Sequence, residues 1–118
     1  MKNSHNIYLI SDSTGETLDR IFLALKAQFE NFDYKINQFS FTRTETQIKK
    51  IIENANKNKN SIILYTIVNN KLAKFLTEES NKKKIPCFGI LGELISNFSK
   101  LLNQEASHEP SGQHVLNK

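Results

Sequence analysis

An open α/β fold, with a mostly parallel four-stranded sheet and helices on both faces, is the architecture that this sequence predicts. Three observations point to it. Short apolar runs of strand length alternate with stretches whose apolar residues recur every three to four positions, the period of a helix. The strand candidates are almost continuously apolar, as in strands covered on both faces. A helical segment separates each strand from the next, so the strands run parallel.

The first unit consists of a strand, a loop and a helix. Residues 7–10 form a short apolar run, and residues 11–15 that follow are all turn or capping residues. The next apolar residues are spaced by three and four positions, which places them on one face of a helix that covers the strand. These residues are Leu18, Ile21, Phe22, Leu25 and Phe29.

The same alternation occurs three more times without internal repetition of the sequence. Residues 36–41, 62–68 and 86–91 are the remaining predicted strands, the first of them a less buried edge strand because it carries two amides. Residues 82–84 are predicted to be a solvated connector. The predicted helical faces are Ile48, Ile51, Ile52 and Ala55; Leu72, Phe75 and Leu76 on a short helix; and Leu94, Ile95, Phe98, Leu101 and Leu102.

The apolar pattern ends after Leu102, which suggests the organisation of the chain. Residues 1–102 are predicted to form one α/β domain. Residues 103–118 are polar, contain Pro110 and Gly112, and are predicted to be an irregular tail, extended or disordered in the isolated chain.

Composition argues against several classes of function. The net charge of +4 comes almost entirely from lysine, and no nucleic-acid-binding motif occurs, so we expect no nucleic-acid partner. No apolar run approaches the roughly 18 residues of a membrane span, and we expect a cytoplasmic protein without a membrane partner. The single cysteine, Cys87, is interpreted as a small buried side chain rather than a nucleophile. The three histidines lack paired-ligand spacing, so no metal site is predicted.

The loop after the first strand is the main candidate binding site. In open parallel sheets, ligands bind beyond the carboxyl ends of the strands, and a helix N-terminus there favours anions. Gly15 would let a ligand approach the backbone, and Ser13, Thr14 and Thr17 offer hydroxyl donors for a phosphate or a phosphorylated side chain. Asp12 could orient a hydroxyl or act as a base. The alternative is ordinary turn and capping chemistry for the same residues.

Arg43 is the second candidate at this edge of the sheet. It follows the second predicted strand and is one of only two arginines in the sequence. Arginine can bind a phosphate through two parallel hydrogen bonds. An exposed arginine without a ligand is the alternative. No glycine-rich P-loop and no protein-kinase motif occurs, so no nucleotide-binding residue is predicted in this chain.

Several segments, in their order and spacing, resemble one family. They are residues 11–17 (SDSTGET), 65–68 (YTIV), 85–87 (IPC), 91–94 (LGEL) and 110–116 (PSGQHVL). Together they are similar to the regulatory proteins of pyruvate, phosphate dikinase and phosphoenolpyruvate synthase, with a likeness that runs from about Ile7 to the last residue.

The resemblance implies a bifunctional serine/threonine kinase and phosphorylase. Family members phosphorylate a threonine of the dikinase with ADP or another nucleotide such as ATP. They remove that phosphate with inorganic phosphate, which releases pyrophosphate. Both reactions need a site for phosphate and phosphothreonine, in agreement with residues 12–17. The dikinase or the synthase is the implied partner.

The sequence also departs from the family pattern. Family members continue from the last motif into a P-loop domain, whereas this sequence ends at Lys118. We therefore expect a truncated regulatory protein that is inactive alone, with a separately encoded P-loop half as a second partner. The alternative is a non-catalytic remnant or a module that only docks on the dikinase. Gly89 and Glu93 stand where the family pattern leads us to expect an acidic residue and a proline.

Overall fold

Residues 4–109 are described in the computed structural model of the protein. Their elements, in chain order, are β1 (His5–Ser11), α1 (Glu16–Lys26), β2 (Tyr34–Phe39), α2 (Glu45–Lys57), β3 (Ser61–Thr66), α3 (Asn70–Lys82), β4 (Cys87–Gly89) and α4 (Gly92–Leu102). The four strands form one sheet in the order β2-β1-β3-β4, and every pairing is parallel. The predicted fold class is therefore confirmed.

Helices cover both faces of the sheet. Consecutive side chains of the apolar strand β1 point in opposite directions, so both faces carry apolar side chains that the helices bury. Tyr8 and Ile10 pack into a core with α2 and α3, and Ile7 and Leu9 pack on the other face with Leu18 and Phe22 of α1. The predicted helical face of α2 is fully buried, with its Ile48, Ile51, Ile52 and Ala55 all in the first core. β2 is an edge strand with no buried residue, as its amides predicted.

Several predicted boundaries were wrong. β2 begins and ends two residues earlier than predicted. It ends early because the chain turns at Phe41, whose φ is 53° and whose N–H donates to Ser13 O at 2.9 Å. α3 is a helix of 13 residues rather than a short one, and it includes Lys82, which was assigned to the connector. β4 has only three residues. Phe29 lies beyond the end of α1 and packs on Phe32 instead.

The last helix forms where it was predicted but buries no residue. Its apolar side chains are between 54% and 79% exposed at Leu94, Phe98, Leu101 and Leu102. The expectation that this fourth helical face packs like the other three is therefore wrong for residues 4–109. Residues 103–109 continue without helix or strand, and the predicted tail from residue 110 onward lies outside the described residues.

The parallel sheet gathers its four strand-to-helix loops at one edge. The loops after β1, β2, β3 and β4 all leave from the carboxyl ends of their strands and lead into the four helices. Within residues 4–109, no helix has the length and apolar character needed to cross a bilayer. In the same part of the chain, no three His, Cys, Asp or Glu side chains are grouped in a way that would hold a metal ion.

Candidate functional site

Asp12 lies at the end of β1 and is almost completely buried, with 4% of its surface exposed. Its carboxylate Oδ2 accepts a hydrogen bond of 2.9 Å from the N–H of Val68, and its own N–H donates to Thr66 O at 3.2 Å. These bonds tie the end of β1 to the chain leaving β3. Asp12 is thus held by backbone groups rather than exposed as a free carboxylate.

The environment of Asp12 changes its acidity. Burial raises the pKa of the carboxyl group above its ordinary value, since desolvation disfavours the charged form. The hydrogen bond from Val68 and the positive charge of Arg43 act on the pKa in the opposite direction and only partly offset the effect of burial.

Gly15 is the N-cap of α1, and its backbone requires glycine. Its φ of 91° lies in the left-handed region, and a Cβ atom there would stand 3.0 Å from Gln38 Nε2 and 3.4 Å from Ser40 Oγ. No side chain caps this helix end. The nearest approach is a long contact of 3.4 Å from Glu16 N–H to Thr14 Oγ1. The first turn of α1 therefore presents backbone N–H groups without a strong side-chain acceptor.

The two hydroxyl residues before Gly15 are fixed through their backbones. Ser13 donates its N–H to Ser11 Oγ at 3.0 Å, and Thr14 O accepts from Ser40 Oγ at 2.8 Å. The loop is thereby held against both its own strand and the end of β2. Thr14 and Thr17 are exposed, the latter on the first turn of α1.

Arg43 reaches this loop from the end of β2. Its Nε donates a hydrogen bond of 2.8 Å to Asp12 O, and its guanidinium carbon lies 5.4 Å from the centre of the Phe41 ring. Its backbone N–H donates to Gln47 Oε1 at 2.7 Å, beside the capping box that Thr44 and Gln47 form at the start of α2. Among residues 4–109 the two Nη groups make no hydrogen bond, so they are available to a ligand.

The structure thus brings two of the predicted residues, Asp12 and Arg43, into direct contact. Ser13, Thr14 and Gly15 belong to the same loop, and Thr17 stands at the adjoining helix start. The sequence interpretation missed two residues that also meet here. The backbone of Val68 holds the Asp12 carboxylate, and His108, which had been assigned to the irregular tail, lies with Nδ1 at 3.0 Å from Val68 O. No sequence signal links His108 to Val68, because 40 positions separate them.

The fold is that of an open parallel α/β protein, a class in which ligands commonly bind beyond the carboxyl ends of the strands. The chain belongs to the kinase/pyrophosphorylase family, whose model matches residues 7–118. The family resemblance inferred from the sequence motifs is therefore confirmed.

Relatives agree with this assignment. The chain is 65% identical over its full length to a protein of Pelagibacter ubique (strain HTCC1062) described provisionally as a pyruvate, phosphate dikinase regulatory protein. Proteins with the same description from Alkaliphilus oremlandii and Geotalea daltonii are 38% and 35% identical over 88% and 94% of the chain. The chain spans only 43%, 37% and 41% of the lengths of these three relatives.

Proposed function

We propose that this chain forms the phosphate-binding and protein-substrate-binding part of an enzyme that regulates pyruvate, phosphate dikinase or phosphoenolpyruvate synthase. In this proposal a threonine of the dikinase is phosphorylated with ADP or a related nucleotide, and inorganic phosphate removes the phosphoryl group as pyrophosphate. The names of the relatives support the target enzyme, and the family description supports the two opposed reactions.

The contact between Arg43 and the Asp12 backbone is the observation that carries this proposal. A tethered guanidinium keeps its planar face and its Nη donors in one place, which suits the two parallel hydrogen bonds of a phosphate. The N-terminus of α1 adds backbone donors and a favourable dipole at the same edge. Phosphate and phosphothreonine are the ligands shared by both reactions, so one site at this edge would serve both.

The nucleotide is assigned to other residues in this proposal. The 118 residues contain no glycine spacing of the P-loop kind. ADP or ATP would then be held by a segment outside these residues, in the same polypeptide or in a separate one, and the phosphate edge would face it.

Phosphate binding by the purified chain tests the proposal. A ligand that binds only the folded state raises the melting temperature, and at ten times its Kd it stabilises the fold by about 1.4 kcal/mol. For a domain of this size, a gain of that order corresponds to a shift of several degrees, roughly 4–8 °C per kcal/mol. We expect such a shift with inorganic phosphate and with pyrophosphate in a buffer free of other polyvalent anions.

Variants of the two arginines make this test specific. Arg43→Ala should abolish the shift, and Arg43→Lys should retain only part of it, because an ammonium group keeps the charge without the planar fork. Arg20→Ala is the matched control, since Arg20 is the other arginine and lies exposed on α1. The phosphate site would be rejected if millimolar phosphate did not shift the melting temperature of the wild-type chain, or if Arg20→Ala lost the shift as completely as Arg43→Ala.

Capture of the dikinase separates the enzymatic proposal from the docking alternative. An immobilised chain that serves the transfer reaction should hold the threonine-phosphorylated dikinase more strongly than the unphosphorylated enzyme, and Arg43→Ala should remove that preference. Equal capture of both forms, unaffected by the variant, would identify a docking module instead.

A further inference from the structure

His108 is held at the carboxyl edge of the sheet in a defined orientation. Its Nδ1 lies 3.0 Å from the carbonyl oxygen of Val68. A carbonyl oxygen can only accept a hydrogen bond, so Nδ1 carries the proton in this contact. In the neutral imidazole the other nitrogen, Nε2, then has a free lone pair.

The position of His108 is tied to the proposed phosphate site through one residue. Val68 donates its N–H to the Asp12 carboxylate at 2.9 Å and accepts from His108 through its carbonyl. His108 also has a φ of 56°, a left-handed conformation that is uncommon for a residue other than glycine. The chain thus adopts an unfavourable backbone conformation where the ring meets the sheet edge.

A cavity of about 370 Å³ adjoins His108, between α3, α4 and residues 103–109. The aromatic and aliphatic residues that line it include Tyr65, Ile67 and Ile95, and the polar ones include Ser96, Ser99 and His108. Lys100 and Glu105 are the charged residues of this lining. Within residues 4–109 no protein group forms a hydrogen bond with Nε2 of His108, so that nitrogen is open to a ligand.

We propose that His108 is a catalytic residue, the proton acceptor for a threonine hydroxyl of the protein substrate, and that this cavity receives the threonine side chain. The mixed lining suits a side chain that carries one methyl group and one hydroxyl group. This inference rests on the proposed function and adds to it the residue that activates the acceptor.

The proton balance of the transfer fits a histidine in this place. When the threonine oxygen bonds to the terminal phosphorus of ADP, the bond from that phosphorus to the bridging oxygen breaks and AMP leaves. The hydroxyl proton passes to Nε2 and then to solvent. In the dephosphorylation by inorganic phosphate, the imidazolium donates its proton to the threonine oxygen as that oxygen leaves phosphorus. The proton lost by the attacking hydrogen phosphate restores the imidazolium.

Nitrogen NMR of the wild-type chain provides the first test, and it needs no catalysis. With ¹⁵N-labelled histidine, neutral His108 should show a protonated Nδ1 and an Nε2 with a lone pair. A peptide that spans the regulatory threonine should shift the Nε2 resonance of His108, because the hydroxyl donates to it, whereas the same peptide with alanine at that position should not. A protonated Nε2 in the neutral ring, or no response to the threonine peptide, would overturn the proposal.

Peptide affinity provides the second test. The wild-type chain should bind the threonine peptide about fivefold more tightly than a peptide with valine in its place, as one added hydrogen bond would give. His108→Ala should reduce that ratio to about one, and a similar ratio in the variant would contradict the proposal. The phosphate-induced rise in melting temperature should persist in His108→Ala. If phosphate does not raise the melting temperature of the wild-type chain either, the phosphate site on which the inference rests has failed.

Discussion

At the scale of single residues, Asp12 shows how the structure holds a side chain that the sequence singles out as a candidate. From the sequence, Asp12 after a strand could orient a hydroxyl, act as a base or form an ordinary turn. The structure buries it and satisfies it with a backbone N–H of the neighbouring strand's loop. These contacts fix the loop that carries Gly15, and the carbonyl oxygen of Asp12 anchors Arg43.

The raised pKa of Asp12 makes the stability of the fold depend on pH. Between its ordinary value of 3.8 and the raised value, the folded state binds more protons than the unfolded state. The contribution of Asp12 to stability is therefore complete below pH 3.8 and is lost as the pH rises through the folded-state pKa. At neutral pH the buried charge lowers the stability of the fold.

Asp12→Asn is expected to remove this pH dependence, because an amide does not titrate and its oxygen can still accept from Val68. The wild-type melting temperature should rise relative to that of the variant as the pH falls from 7 towards 4. Thermal unfolding of both proteins across that range, without phosphate, gives the comparison. If the difference in melting temperature between the two proteins stays constant, or if the variant becomes relatively more stable at low pH, burial does not raise the pKa of Asp12 as assigned.

Arg43 illustrates what sequence reasoning could and could not supply at this scale. Its place after β2 predicted the correct edge of the sheet, because parallel strands all end on one side. Its tether to Asp12 O could not be predicted, since that bond joins residues 31 positions apart and depends on the turn at Phe41. The contact of His108 with Val68 could not be predicted for the same reason, since 40 positions separate the two residues.

At the scale of elements, the buried segments were the most predictable. β1 carries a continuous apolar run and α2 a clear helical period, and both elements formed where these patterns predicted them. β2 and β4, at the two sheet edges, were misplaced or overextended, because an edge strand has fewer partners to fix where it ends. For α4, the pattern predicted the helix correctly but not its exposure, which depends on tertiary contacts.

The packing of β4 on β3 gives a physical reason for a glycine at position 89. The ring of Tyr65 lies directly over this glycine, so a Cβ atom would come within 2.7 Å of Tyr65 Cζ and Oη. The register that pairs these two residues puts them side by side. An acidic side chain at position 89 would require a smaller or displaced residue at position 65.

Gly89→Ala is expected to lower the free energy of unfolding by about 1–2 kcal/mol, as overpacking usually does. The Tyr65 ring must move, which also breaks its contact of 3.4 Å with Thr77 Oγ1. Urea unfolding measures the loss. Gly92→Ala is the control, because a Cβ there meets nothing within 4 Å.

A double-mutant cycle separates the clash from a general effect on β4. In a Tyr65→Leu background the same Gly89→Ala change should cost clearly less, because residues in contact are not additive. An equal cost in both backgrounds would mean that the ring is not the cause.

At the scale of the whole molecule, the two cores lie on opposite faces of one sheet and leave its carboxyl edge to the loops. That arrangement followed from the sequence, because alternating strands and helices allow few other topologies. The apolar side chains that remain exposed on α4, together with Phe88 of β4, could not be foreseen from periodicity. Periodicity says which side chains share a face, whereas their burial depends on what covers that face.

The central claim is that phosphate binds at the carboxyl edge between the loop of residues 12–17 and Arg43. Amide NMR of the ¹⁵N-labelled chain during a phosphate titration tests it most directly. We expect saturable shifts at Ser13 to Thr17 and at Arg43, with little change at the amino edge of the sheet around Lys59 and Lys84. Shifts that concentrate on those lysines, or that spread evenly over all of the basic surface, would contradict it.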